Sequence, residues 1–326
     1  MPLECGSANE TRKQSRGSYK PPDEKGPMDD IFCYDFHVHV GNERDGLPPS
    51  AFLQALQRKD VCAAGMLDHV EFFIQDDNEW MTAFRAHAAR NGLKLYDDSI
   101  DGLKALYRDL DKLRQGQEML IALGLELREP GRVPEAFLEL PEYFCNCFHL
   151  PPLSTRDTPG MRAAELIELF ARKIAPARRP GIINHPFRDR LLEFSTLATS
   201  GSTPTSEEFL PRDEVARLVD AAGEHGLFVE INLTDLCYHA PCCYEFCLYA
   251  TRLLVKLKAK LSIGSDSHRP PPLTVPNEVQ RMLEDAGVEV AHFQPVVDAM
   301  RRSVSNPPAW LARRKSSPSG RQLATR

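Results

Sequence analysis

Short apolar runs alternate with amphipathic stretches along most of this chain. The runs at 31–38, 61–67, 119–126, 144–149, 181–185, 227–232 and 261–265 are continuous enough to be strands buried on both faces, as in a parallel sheet. Helix-type patterns lie around 48–59, 77–91, 100–115, 160–175, 211–225, 243–259 and 276–286. The pattern at 211–225 is the sharpest: Pro211 opens it, Asp213 and Glu214 occupy its first turn, and Gly226 follows its end. Seven strands, each followed by helical sequence, predict an α/β barrel. Residues 195–205, rich in Ser, Thr and Gly, predict a long surface loop that could cover the active site. No internal repeat is visible. Residues 1–29 have almost nothing to bury and predict a disordered polar arm. Residues 303–326, with Arg313-Arg314-Lys315 and Ser-Pro punctuation, predict a flexible basic tail, which leaves 30–302 as one folded domain.

Composition narrows the picture. The chain has 326 residues, is 42% hydrophobic and 26% charged, and carries a formal net charge of −6. That is ample material for one large domain. A mildly acidic chain is not a general binder of long nucleic acid or of membrane surfaces. No apolar run approaches the roughly 18–20 residues of a membrane span, and the N-terminus lacks the apolar core of a secretory signal. Nine cysteines without an even framework read as reduced thiols in a cytoplasmic setting. Cys237, Cys242, Cys243 and Cys247, with His239, could form a structural zinc site. Their spacing is not that of a zinc ribbon, and thiols on a helix and its leading loop is the favoured reading.

The chemistry gathers at the strand ends. His37 and His39 close the first strand, with Asp45 in the loop after it; Asp68-His69, Glu126, His149 and His185 close the second to the fifth. Glu230 and Asn232 lie on the sixth, and Asp266 and His268 follow the seventh. In an extended strand residues i and i+2 share a face, so His37 and His39 can reach one cavity. Six of the ten histidines fall at these positions. In a βα-barrel the C-terminal strand ends carry the active site. The nine candidate ligands are His37, His39, Asp45, His69, Glu126, His149, His185, Asp266 and His268, more than one ion needs. Two or three divalent ions (Zn, Mn or Fe) sharing carboxylates is the natural arrangement, and clustered ions suit phosphoryl chemistry. Glu126, Asp266 and His268 are the candidate catalytic groups. Arg44, Arg188 and Arg269, next to ligand motifs, are candidate phosphate clamps because guanidinium matches phosphate geometry.

The order and spacing of these motifs resemble the PHP family (polymerase and histidinol phosphatase) over roughly residues 31–270. The motifs read His37-Val38-His39, Asp68-His69, Gly124-Leu125-Glu126, His149, His185-Pro186, Glu230-Ile231-Asn232 and Gly264-Ser265-Asp266-Ser267-His268. The resemblance implies a distorted (β/α)7 TIM-like barrel with a trinuclear site. In it His37, His39, Glu126 and Asp266 would hold one ion. Glu126, His149 and His185 would hold a second, and Asp45, His69 and His268 a third. Glu230 and Asn232 would support the ligands from behind. The sequence departs from the family around His149, where it reads Cys145-Asn146-Cys147-Phe148-His149, and in a longer loop to Asp45.

The expected activity is a metal-dependent phosphoesterase that hydrolyses a small phosphomonoester with a metal-activated hydroxide, like a histidinol phosphatase or a nucleotide phosphatase. An amidohydrolase also opens on HxH and ends on a late Asp, but usually carries a carboxylated lysine at a central strand end, and no Lys stands there in this chain. A non-catalytic metal-binding module of the same fold is the third reading.

Overall fold

The computed structural model describes residues 31–41, 47–74, 82–83, 86–87, 90, 96–150, 163–201, 205–270 and 275–315. Seven strands form one sheet: β1 Tyr34–His39, β2 Ala63–Leu67, β3 Leu120–Leu127, β4 Tyr143–Cys147, β5 Gly181–Asn184, β6 Phe228–Asn232 and β7 Leu261–Gly264. They lie in sequence order, each parallel to the next. Helices pack around the outside, so the strands are buried on both faces, which is why they read as continuous apolar runs. Every strand falls within three residues of its predicted bounds.

The barrel is nearly closed. The β1–β7 seam is stitched by a bridge between Val38 and Ser267, in which His39 N–H donates to the Ser267 carbonyl over 3.0 Å. The buried Asp35 carboxylate adds a second stitch by accepting from Ser265 N–H at 2.8 Å. Near the bottom of the interior the Tyr143 ring crosses from β4, and its hydroxyl donates to the Phe36 carbonyl. A methyl group at Gly65 or Gly124 would lie within 2.3 Å of that side chain. Gly124, read as part of a ligand motif, is therefore a glycine because it leaves room for Tyr143.

The helices follow the pattern where apolar periodicity is strong. The helix Ile100–Arg114 buries Leu103, Leu106, Tyr107 and Leu110 on one stripe and is capped by Ser99, which accepts from Gly102 N–H. Residues 77–91 lie mostly outside the described residues.

Three predictions fail. The expected loop at 195–205 is helical as far as Thr199, in the helix Arg188–Thr199. There Thr196 and Thr199 turn their hydroxyls back onto the carbonyls of Leu192 and Ser195, which lets a Ser/Thr-rich stretch stay helical. The helix predicted from 243 starts at Leu233, capped by Asn232, and runs to Lys256. Pro241 interrupts the pattern in its middle, and the backbone kinks at Cys243. The predicted flexible tail from 303 instead finishes one helix, Gln294–Ser305, and forms another, Ala309–Lys315. Ser303 and Leu311 are buried there, and the Trp310 ring stacks on Tyr107 while its N–H donates to the Leu140 carbonyl. The folded unit thus extends at least to 315. Residues 1–30 and 316–326, which hold the arm and the rest of the tail, lie outside the described residues. Among the described residues no helix is long and apolar enough to cross a membrane.

Candidate metal centre

All seven strands deliver side chains to one end of the barrel. His37 and His39 come from β1 and Glu126 from β3; His69 follows β2, and Cys147 and His149 come from the end of β4. Asn184 and His185 come from β5, Glu230 and Asn232 from β6, and Asp266 and His268 from just beyond β7. His185 and Asp266 turn inward on backbone with φ of +32° and +53°. Non-glycine residues adopt that region at a cost of about 1–3 kcal/mol each, and such costs cluster at functional sites. The turn at His185 is held by its N–H, which donates to Glu230 at 2.9 Å.

Four donor atoms meet in the centre: His37 Nε2, His39 Nε2, Glu126 Oε2 and Asp266 Oδ1. The two imidazole nitrogens are 3.0 Å apart. His39 lies 3.2 Å from Glu126 and 3.3 Å from Asp266. His37 lies 3.4 Å from Asp266 and 3.7 Å from Glu126. Metal–ligand bonds of about 2.0–2.2 Å in a tetrahedron put neighbouring donors about 3.3–3.6 Å apart, close to these five edges. The tautomer agrees. His37 Nδ1 lies 2.7 Å from Glu230 Oε1, which places a ring proton there and turns Nε2 inward towards the other donors. Glu230 is steadied in turn by Asn232, whose amide donates to it at 3.0 Å. Both stand behind His37, where supporting residues were expected.

The electrostatics suit a cation. Burial opposes the charge on Glu126, but His69, His185 and His37 outweigh it and hold this carboxyl well below the usual range. Asp266 is held low against its own burial by His37, His268 and His39. Burial likewise opposes protonation of His37, yet Glu230, Asp266 and Glu126 raise its pKa well above the usual imidazole value. Glu126 Oε2 is buried and makes no hydrogen bond among the described residues. An ionised oxygen in that setting is costly unless a cation shares it, so the residues fit a divalent ion.

Further donors surround this group. His39, Asp266 and His268 converge, with His268 3.2 Å from Asp266, and His37, His185 and Asp266 converge beside them. His69 Nδ1 lies 3.2 Å from Glu126. The grouping differs from the expected one for the second and third ions. His149 converges with Cys147 and His185, and Glu126 is not in that group. His268 groups with His39 and Asp266 rather than with His69. Asp45 and Arg44 lie outside the described residues.

Of the other expected clamps, Arg188 donates to Asp235 at 2.8 Å and to Asp266, so it is engaged with a ligand carboxylate. Arg269 is exposed at the rim. In the cysteine cluster, Cys243 and Cys247 are buried in the core; the side chains of His239 and Cys242 lie outside the described residues. Among the described residues these cysteines join no convergent donor group.

Sequence reading missed four participants. Asp35 stitches the seam, Asn184 donates to Glu126 at 3.1 Å, Asp189 binds His149 at 2.9 Å, and Cys147 joins His149. Asn184 and Cys147 each sit one or two residues before a candidate ligand at a strand end, the one signal that could have found them.

Gly264 offers a test of this packing. A methyl group there would lie 2.3 Å from both Glu230 Oε1 and His37 Cβ. Gly264→Ala should force this pair apart and weaken metal binding by about 10- to 100-fold, the effect of disturbing an outer-shell partner, though no ligand is altered. Titration calorimetry with zinc would show it, and unchanged affinity would refute it.

No protein-family model matches this chain, and neither does any curated protein. Among solved structures, a candidate histidinol phosphatase from Listeria monocytogenes is 14% identical, with a TM-score of 0.46, and the alignment covers 72% of this chain and 95% of that one. A candidate 2-pyrone-4,6-dicarboxylic acid hydrolase from Acinetobacter baumannii is 13% identical, with a TM-score of 0.41 and coverage of 82% and 99%. A truncated 3-deoxy-D-arabino-heptulosonate 7-phosphate synthase from Thermotoga maritima is 14% identical, with a TM-score of 0.34 and coverage of 78% and 89%. At this distance none of them assigns a chemistry to this chain.

Proposed function

We propose that this chain is a metal-dependent phosphoesterase of the PHP type, acting on a small phosphomonoester with two or three divalent ions. The observation that carries the reading is that Glu126 and Asp266 each approach both His37 and His39 at metal-ligand spacing, and that Glu126 Oε2 is a buried carboxylate oxygen without a hydrogen bond among the described residues. His37, His39, Glu126 and Asp266 would hold one ion. His185, His268, His69 and His149 extend the donor set around them.

Divalent ions so held would neutralise phosphate oxygens and make water a competent nucleophile near neutral pH. The chain's own residues prepare the site. Glu230 fixes the proton of His37 on Nδ1, and Asn184 orients Glu126. Arg188 holds the outer oxygen of Asp266, which leaves Oδ1 facing the histidines. Arg188 is thus a positioning residue, and the phosphate-binding role passes to Arg269 at the rim. His268, with 45% of its side chain exposed, stands where substrate would enter. No lysine stands at the C-terminal ends of the third and fourth strands, where Glu126 and His149 lie, which disfavours the amidohydrolase reading.

Metal analysis combined with hydrolysis of p-nitrophenyl phosphate tests the proposal. The protein should carry more than one divalent ion per chain, lose phosphatase activity on chelation, and regain it with manganese or zinc. Bound metal without phosphatase activity in any of these ions would overturn it. A screen of phosphorylated metabolites, histidinol phosphate included, would then find the substrate.

A further inference from the structure

The end of β4 places a thiol among the imidazoles. Cys147 and His149 are two residues apart on extended chain and share a face. The Cys147 sulfur lies 3.9 Å from His149 Nε2, and donor atoms of Cys147, His149 and His185 all lie within 4.8 Å of one another. Metal bonds of about 2.3 Å to sulfur and 2.0–2.1 Å to nitrogen put those donors about 3.5–3.8 Å apart as the angle opens from tetrahedral to trigonal.

Two further observations point the same way. His149 Nδ1 lies 2.9 Å from Asp189 Oδ1, a carboxylate–histidine pair that keeps the ring proton on Nδ1 and aims the Nε2 lone pair at the sulfur. His185 is 3% exposed, its Nδ1 is buried without a hydrogen bond, and its backbone is held at positive φ. A thiol that merely packed against the barrel would need none of this orientation.

We propose that Cys147 is a metal ligand, forming with His149 and His185 a thiolate-containing position beside the one built on His37, His39, Glu126 and Asp266. This rests on the metal-centre reading above. Binding replaces the S–H bond by a sulfur–metal bond, and the proton leaves to solvent. A thiolate–imidazole set selects zinc and similar borderline ions over manganese or magnesium, which prefer oxygen. The centre would therefore be mixed, with one position rich in oxygen and imidazole and the other soft.

Cobalt reconstitution of the full chain, stripped of metal by chelation, tests this. The wild type should show an intense near-ultraviolet sulfur-to-cobalt charge-transfer band together with visible d–d bands. Cys147→Ser should lose the first and keep d–d intensity from the remaining position, whereas Cys145→Ser, altered two residues deeper in the barrel, should keep both. Outer-shell partners are worth about 10- to 100-fold in metal affinity, and this direct ligand should cost zinc at least as much in Cys147→Ser. Thermal melts of the metal-free proteins, and Cys147→Ala beside Cys147→Ser, separate ligand loss from misfolding. Cobalt bound to the wild type without the charge-transfer band, or a band that survives in both Cys147 variants, would overturn the thiolate proposal and leave the metal centre standing. A folded wild type that takes up no cobalt would overturn both.

Discussion

Replacing His37 and His39 together by alanine should, on the proposed function, strip the central ion from the protein and cut hydrolysis of p-nitrophenyl phosphate by at least about 10³-fold, several kcal/mol of lost charge stabilisation. The size of the effect follows from the geometry. The two imidazoles supply half of a four-donor set, and each of the five close edges in that set includes one of their nitrogens. Without them, Glu126 and Asp266, which come from strands on opposite sides of β1, keep only the more distant His185 in common. The barrel itself should survive, because β1 is anchored by Phe36 and Val38, both buried on its other face, and by the Asp35 stitch to Ser265. Metal content by mass spectrometry, kcat/KM and near-ultraviolet circular dichroism on one preparation would decide the matter. A folded double variant with wild-type metal content and activity would refute the assignment.

The barrel was legible because its strands are short apolar runs and each ends in a side chain with chemistry of its own. His37, His39, Glu126 and Asp266 could be picked out for that reason, and the structure brings these four together. How the outer donors divide was not legible. Glu126 reaches His69 on one side and His185 on the other, while His149 turns towards Cys147 and Asp189. Such choices depend on side-chain reach between neighbouring strands, which motif order does not encode. Arg188 illustrates the same point. Beside a ligand motif it reads as a phosphate clamp, but Asp235, 47 residues on, and Asp266, 78 residues on, already hold it. The hidden helices have local causes. Pro241 breaks the periodicity of the helix it lies in, and the Ser/Thr run at 195–199 reads as loop until its hydroxyls find carbonyls one turn back. At 294–315 the apolar positions Val296, Val297, Met300 and Leu311 are diluted by arginines and serines, and only packing against the barrel shows them to be a buried stripe.

At the opposite end of the barrel from the metal centre, Glu142→Ala should produce a large loss of stability. Glu142 is fully buried. Its two oxygens take a bidentate pair of hydrogen bonds from Arg114, at 2.7 and 2.9 Å, and one also accepts from Leu123 N–H on β3 at 3.0 Å. Arg114 donates further to Asp111 and to the Ile121 carbonyl, and Ser303 of the C-terminal helix donates to the Glu142 carbonyl. This one residue thus ties the helix 100–114 and the helix 294–305 to adjacent strands. The ion pair adds little net stability over apolar packing, because desolvating both charges offsets most of their attraction. Removing one partner is different, since it leaves the Arg114 guanidinium, 9% exposed, with the Ile121 carbonyl and one remaining carboxylate, Asp111. Breaking such a pair costs about 3–5 kcal/mol, a large part of the roughly 5–15 kcal/mol that holds a domain together. At about 2–4 °C per kcal/mol for a domain near this size, the melting temperature should fall by roughly 6–20 °C. The double change Glu142→Leu with Arg114→Met should recover much of the loss, because it removes the stranded charge as well as its partner. On the proposed function, metal content and phosphatase activity should stay at the wild-type level below the transition, since this network lies at the far end of the strands from the candidate metal donors. A Glu142→Ala variant that melts within 2 °C of the wild type, measured by calorimetry at equal metal loading (about 1 kcal/mol or less), would show that the network contributes little to holding the barrel shut.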